Sequence, residues 1–424
     1  MQIQTIRGFR DILSEEAEKW RYVEDTAREV LDWFGFKEVR LPILEKTSLF
    51  ARSIGENTDI VEKEMYTFTD KSGDSLTLRP EATASMVRMF IQHSLYGQPK
   101  AAKLFTIGPM FRRERPQKGR YRQFWQVDAE MFGFTHPLAD AEIINVVDTI
   151  LKKLVVPDYE IHLNSLGCQN CRKAFKKALQ LYLEDKYNEL CPDCQRRYKS
   201  NPLRVFDCKI ATCKEALKDA PLITDYLCSE CQTHFDTLQS YLSHLGIAFT
   251  LNPYLVRGLD YYTKTTFEVI IPGIGAQNAV AGGGRYDNLI KELGGKSTPA
   301  IGFAIGMERL IPCVPDSIPQ KRPIFLALLG AEAVKLGLIW AKALREGGIW
   351  TEIDYRLGSL KSQLNRANRL QAAFTLIIGE DEIKNGKAIL RNMDTKEQIN
   401  IPVAPEQGLN IVLKNLGREK VGRD

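Results

Sequence analysis

The sequence predicts an α/β (α+β) protein: a domain built on an antiparallel β-sheet flanked by helices, interrupted by a helical cysteine-rich insertion and followed by a smaller α/β domain. Three observations carry this. Two strand-like runs, KLFTIGPMFRRE from Lys103 and RQFWQVDAEMFG from Arg122, are separated only by the turn-rich PQKGRY, which makes them an antiparallel pair. Eight of the nine cysteines fall between Cys168 and Cys231 and mark a separate module. From Pro323 onward, PIFLALLG, AVKLGLIWAKALREGG, IWTEIDY, SLKSQLNRANRLQ and FTLIIG alternate strand and helix as β-α-β-α-β, the pattern of a mixed or parallel sheet.

The 424 residues exceed one ordinary core, and at about 100–200 residues per domain they suggest two to four domains. The divisions expected are a first domain over 1–320, interrupted by an insertion over 157–246, and a last domain over 323–424. VPDSIPQKRP reads as the linker. A hydrophobic fraction of 44% with 26% charged residues is that of a globular protein, and no apolar run is long enough to span a bilayer. The opening MQIQTIRGFRDILSEE has neither an apolar segment nor a small-residue cleavage site, so no signal peptide is expected and a cytoplasmic location is the default. A net charge of +5 permits a nucleic-acid partner but is below that of a dedicated basic binder.

The first helix is expected from Ser14, an N-cap followed by Glu15 and Glu16. Trp20, Val23, Ala27, Val30, Leu31 and Phe34 then recur at helical spacing up to Gly35. FKEVRLPILEKTSLF follows as a short strand into Pro42, which suits a strand end or sheet edge. In the second strand of the hairpin the side chains alternate: Trp125, Val127, Ala129 and Met131 share one face, and Phe124, Gln126, Asp128 and Glu130 the other. Without further clues such a strand has one core face and one wet face. The hairpin itself places six basic side chains and Glu114 before that polar face. Gly282 to Gly284 let a backbone approach a ligand closely, but they lack the Walker spacing with its Lys and Ser or Thr.

The cysteines form three C-x2-C pairs, Cys168/Cys171, Cys191/Cys194 and Cys228/Cys231, with Cys208/Cys213 as a looser fourth. C-x2-C is a common zinc-knuckle spacing, and four thiolates hold Zn²⁺ well, so these eight are candidate ligands of one or two structural zinc ions. Buried reduced cysteines are the alternative, and the spacing leaves the pairing among knuckles open.

Taken together and in order, LRPEATA at Leu78, FRRERPQKGRYRQFWQ at Phe111, VRGLDYYTKTTFEV at Val256, AGGGRYD at Ala281 and IGMERL at Ile305 resemble the histidyl-tRNA synthetases, class II aminoacyl-tRNA synthetases. The resemblance covers nearly the whole chain. The Pro42 region is similar to motif 1, the Phe111 hairpin to motif 2 and the Gly306 segment to motif 3. It implies a homodimer joined through motif 1, a class II antiparallel catalytic sheet and a C-terminal anticodon-binding domain. The implied activity is ATP-dependent ligation of L-histidine to tRNA(His) through a histidyl-adenylate, with Mg²⁺ accompanying the ATP.

The resemblance also assigns residues. Arg112 and Arg257 would act at the α-phosphate and the histidine carboxylate as the catalytic pair, and Arg309 would bind the γ-phosphate, so that all three bind ATP. Guanidinium forks suit such oxygens because they offer paired donors and stay charged. Glu81, Thr83 and Gln126 would hold the α-amino group, Glu130 and Tyr262 the two imidazole nitrogens, and Tyr261 would line the pocket. Gln117 and Arg122 would meet the acceptor end of the tRNA. A site built of buried hydrogen-bonding groups rejects substrates that leave them unpaired, so no editing domain is needed. The family's activity does not require zinc, and many members lack these cysteines. A histidine-sensing regulatory paralogue is the alternative, but such paralogues typically lose the histidine-specific motif and the anticodon domain, and both have counterparts here. A pure tRNA-binding module would have no use for Glu130, Tyr262 and Arg309 together.

Overall fold

The computed structural model describes residues 3–55, 58, 60–98, 102–117, 119–273, 278–317 and 321–417. The chain forms two compact units, Met1–Ile318 and Pro319–Asp424. Ile318, Pro319 and Gln320 of the expected linker, and Lys118 of the arginine-rich loop, lie outside the described residues.

The first unit is organised by an eight-stranded sheet in the order Lys37–Glu38, Lys103–Phe111, Gln123–Phe132, Ala300–Gly306, Ala279–Arg285, Thr263–Ile270, Glu160–Ser165, Thr250–Leu251. The six inner strands are antiparallel to their neighbours, and only the two-residue edge strands pair in parallel. The expected hairpin pairs Lys103 with Met131 through Phe111 with Gln123 in unbroken register. One face of the sheet buries Phe105, Val127, Ala129, Phe267 and Phe303 against the helices Ser14–Trp33, Pro137–Lys153 and Ser229–His244. Trp20, Val23, Ala27, Val30 and Leu31 supply the first helix's buried stripe, as their spacing required.

Two local expectations need correction. Ser14 is the first helical residue and Leu13 takes the cap position, with no side-chain cap bond. The FKEVRLPILEKTSLF stretch is not one strand. It breaks around Pro42 into Lys37–Glu38 on the large sheet and Leu44–Lys46 on a separate three-stranded sheet, then becomes the helix Thr47–Ile54. Proline has no N–H for a ladder, which explains the break.

The cysteine-rich segment has its own small core, in which Phe175, Leu179, Leu183, Leu190, Val205 and Ile223 pack with Cys194, Cys208 and Cys213. Its flanks belong elsewhere: Glu160–Ser165 is a strand of the large sheet, and Phe235, Leu238 and Leu242 of the Ser229–His244 helix enter the main core.

In the second unit five strands run in the order Thr351–Ile353, Ile324–Leu328, Phe374–Ile378, Lys387–Asn392, Gln398–Pro402. The first three are parallel, as β-α-β-α-β predicts, and the last two add an antiparallel hairpin that the pattern did not announce. Helices Ala331–Glu346 and Pro405–Asn415 cover one face, where Trp340 is fully buried and its indole N–H donates to Val403 O at 2.7 Å.

Candidate active site

The polar face of the Gln123–Phe132 strand is not wet. Asp128 and Glu130 are each 1% exposed: Thr83, at the start of the Thr83–Gln92 helix, and Tyr286 bond Glu130, while Asp128 lies near Arg79, Glu81 and Arg112. Glu81 anchors that helix: its two carboxylate oxygens accept the Thr83 and Ala84 N–H groups, each at 2.8 Å, so it serves the orphan donors of a helix start. Thr83 Oγ1 donates in turn to Glu130 Oε1 at 2.7 Å, and the Tyr286 hydroxyl donates to Glu130 Oε2 at 2.6 Å. Tyr261 packs between Tyr262 and Tyr286, with ring centroids 4.8 Å and 5.6 Å away. Glu81, Thr83, Glu130, Tyr261 and Tyr262 therefore form one buried cluster.

Burial dominates the electrostatics there. It pushes the Glu130 carboxyl up to about 8 although the Tyr286 and Thr83 hydroxyls favour its ionised form. Burial also raises Glu81, against the Ala84 N–H and the nearby Arg112. Asp128 is held well above the usual carboxylate range by burial and then by Glu130 and Glu81, with Arg79 and Arg112 opposing. Its Oδ2 is buried with no hydrogen-bond partner.

Beside this cluster a cleft is lined by Arg112, Gln126, Arg257, Glu268, Glu308 and Arg309, together with the Ala279–Gly282 backbone. The three arginines come from separate segments. Arg112, on the hairpin, donates from Nε to Pro80 O at 2.8 Å and lies 5.3 Å from the Phe124 ring centroid. Arg257 pairs through Nη1 with Glu268 Oε1 at 2.7 Å and crosses the glycine strand at Gly282, where a Cβ would sit 2.5–2.6 Å from its guanidinium. Arg309 is oriented by Ala279 O, 2.9 Å from Nη1, and by Gly119 O, 3.3 Å from Nε. Burial and the neighbouring Arg120 hold its guanidinium below the ordinary range, with Arg112 adding to this and Glu114 opposing. Cations so crowded favour a polyanion between them.

Gln126 faces the same cleft, and its Oε1 is buried without a partner. Gln117 sits at the hairpin tip, where its backbone and that of Arg120 exchange bonds of 3.1 Å and 2.9 Å. Arg122 is turned toward the amino-terminal segment, donating to Glu114 O at 3.3 Å and Arg7 O at 3.4 Å. Neither lines the cleft.

Tyr286 and Glu308 were missed as site residues. Both stand inside motifs already singled out, AGGGRYD and IGMERL, and their positions there were the available signal. Glu308 accepts the Trp125 N–H at 3.0 Å, and burial raises it to about 7.

The eight clustered cysteines form two quartets, Cys168/Cys171/Cys228/Cys231 and Cys191/Cys194/Cys208/Cys213, each with its sulfurs within 4.8 Å of one another.

The comparisons with known proteins agree with this geometry. The model of the histidyl-tRNA synthetase family matches residues 8–310, and that of an anticodon-binding domain matches residues 324–410. A histidine-tRNA ligase of Desulfatibacillum aliphaticivorans is 54% identical over 93% of this chain and 95% of its own length. One of Desulforapulum autotrophicum is 50% identical over the full length of both. The crystal structure of apo S. aureus histidyl-tRNA synthetase superposes with a TM-score of 0.81 at 36% identity, covering 98% of this chain and 99% of that one. Fold, arginine cleft and full-length likeness agree, and the chain belongs to the histidyl-tRNA synthetase family.

Proposed function

We propose that this chain is an active histidine-tRNA ligase whose reaction takes place in the cleft between the arginine-rich hairpin and the glycine strand. The observation that carries the reading is the convergence of Arg112, Arg257 and Arg309, drawn from separate segments of the sequence, on one cleft beside the buried Glu130 cluster. In the first step a carboxylate oxygen of histidine attacks the α-phosphorus of ATP, and pyrophosphate leaves. In the second a ribose hydroxyl of the terminal adenosine of tRNA(His) attacks the acyl carbon, and AMP leaves.

Little covalent work falls to the protein, and positioning with placed cations supplies most of the acceleration. Arg112 and Arg257 hold the α-phosphate and carboxylate and stabilise charge developing there, and Arg309 takes the γ-phosphate. The α-ammonium fits beside Glu81, Thr83 and the partnerless Gln126 Oε1. Glu130 and Tyr262 read the imidazole, one nitrogen a donor and the other an acceptor, and Tyr261 lines the pocket. Glu114 and Glu268, hard oxygen donors on the cleft wall, would hold Mg²⁺ together with the nucleotide phosphates. The ion would neutralise phosphate charge.

Gln117 and Arg122 meet the acceptor end, for which Arg122 exchanges its carbonyl partners for nucleotide. In the second unit Lys361 and Arg369 of the Leu360–Arg369 helix are exposed and suit tRNA phosphates. Arg366 is tied instead to the buried Asp354 at 2.7 Å. A cytoplasmic homodimer is the expected working form. The regulatory alternative is disfavoured, because VRGLDYYTK and an anticodon-binding domain are both present. Charging of tRNA(His) by the purified chain with histidine and ATP tests the proposal. Absence of charging by a folded sample would refute it.

A further inference from the structure

The cysteine quartets lie outside the reaction just described. We propose that the chain binds two structural zinc ions, one coordinated by Cys168, Cys171, Cys228 and Cys231 and the other by Cys191, Cys194, Cys208 and Cys213. Tetrahedral coordination with Zn–S bonds of about 2.3 Å places sulfurs about 3.8 Å apart. The sulfurs of Cys168 and Cys171 are 3.6 Å apart, and those of Cys191 and Cys208 are 3.8 Å apart. A disulfide needs about 2.05 Å, so these are ligand-like separations rather than bonds.

The backbone around each quartet is arranged for thiolates. Cys168, Cys191 and Cys228 occupy the caps of the helices Gln169–Asp185, Pro192–Ser200 and Ser229–His244, so each C-x2-C pair wraps a first helical turn, where the dipole favours negative sulfur. Two backbone donors already point at sulfur: Cys228 N–H to Cys171 Sγ and Cys191 N–H to Cys213 Sγ, each at 3.1 Å. Gly167, at φ 60°, turns the chain so tightly that a Cβ there would sit 2.6 Å from Cys171 Cβ. The knuckle is therefore built into the backbone and does not rest on side-chain proximity alone.

The local fold has little regular structure of its own. Between Lys186 and Leu227 no helix exceeds nine residues, and the small core is partly made of the cysteines themselves. Such modules are commonly stapled by metal. The two sites are nested in sequence: the outer closes the insertion at its base, and the inner cross-links its irregular interior. A four-thiolate site leaves no open position for substrate, so the role is structural. What it braces is specific. Arg172 donates to Tyr262 O at 3.0 Å, Asn201 to Asp260 Oδ1 at 2.7 Å and Arg204 to Gly258 O at 3.3 Å, so the insertion holds the VRGLDYYTK segment at three points.

The test is metal content and does not depend on ligase activity. The full chain, purified without added metal and checked by circular dichroism, should contain about two zinc ions by elemental analysis. Cys171→Ser/Cys231→Ser and Cys194→Ser/Cys213→Ser should each retain about one. If these variants do not fold, titration of the wild type with a mercurial should release two zinc ions as the eight clustered thiols react, with Cys313 as a ninth thiol that releases none. Cobalt exchanged into the protein should show thiolate-to-metal charge transfer. Folded wild type with less than about 0.2 zinc per chain after equilibration with zinc, a stoichiometry of one, or iron in place of zinc would overturn the assignment.

Discussion

Gly302 lies directly opposite Glu130 in the register of two antiparallel strands, and the Glu130 carboxylate occupies the space that a side chain at 302 would fill. A glycine in a strand interior costs stability, so its presence here answers a need for room. Gly302→Ala should force Glu130 aside, raise the KM for histidine at least tenfold and lower stability by about 1–3 kcal/mol, as overpacking does. Steady-state kinetics and denaturant unfolding check both effects. A KM within twofold of wild type would separate Glu130 from histidine recognition.

Glu130, raised to about 8, is mostly protonated at neutral pH in the free protein. If the ionised form is the one that accepts from the imidazole N–H, the free protein binds in proportion to its ionised fraction. Histidine affinity should then rise roughly fivefold to tenfold between pH 7 and pH 8.5, over and above the change in the fraction of ligand with a neutral imidazole, which is about three-quarters already at pH 7. Calorimetric titration should also detect proton release at pH 7. Glu130→Gln should bind weakly and with a flat profile.

Asp128 has a buried oxygen without a partner and a carboxyl held well above its ordinary range. The folded state therefore keeps a proton that the unfolded chain loses, so stability falls as pH rises above the unfolded value of 3.8, until the folded carboxyl itself ionises. Asp128→Asn removes this dependence. Its stability relative to wild type should increase from pH 4 to pH 8 in urea melts, and a pH-independent difference would contradict the protonated assignment.

Asp140 behaves oppositely. Arg285 and Asp140 are both fully buried and paired, and His234 Nε2 lies 3.1 Å from Asp140 Oδ1. Burial opposes ionisation, but the His234 bond and Arg285 together keep the carboxyl below its ordinary value. Its stabilising contribution is present above the unfolded value of 3.8 and lost as pH falls through the lower folded one. Asp140→Ala leaves the buried Arg285 guanidinium with Asp287, 3.2 Å from Nη1, as its remaining charge partner and should cost about 3 kcal/mol at pH 7, with the deficit shrinking in acid.

Periodicity made the sheet legible. The alternation from Phe124 to Met131 places Val127, Ala129 and Met131 in the core, and the arginine-rich turn announces the hairpin. The same periodicity misjudged the opposite face, because nothing within the strand says that Thr83 and Tyr286 will bond Glu130 or that Arg79 and Glu81 will lie near Asp128. Long-range partners explain most other gaps. Cys168 and Cys228 are sixty residues apart, with two other knuckle pairs between them, so spacing could not give the nesting. The arginines were legible by motif; their tethers, Glu268, Pro80 O and Ala279 O, were not, because each belongs to a different segment that meets its arginine only in the folded chain.

The central claim is that the arginine cleft activates histidine and no other amino acid. Its most direct test is ATP–pyrophosphate exchange by the purified chain with each of the twenty amino acids, alongside Arg257→Ala, whose fold is checked separately. The account predicts exchange with histidine alone and a loss of about a hundredfold to a thousandfold in the variant, the scale expected when a preorganised donor stabilising a transition state is removed. Absence of histidine-dependent exchange, or undiminished exchange in Arg257→Ala, would contradict it.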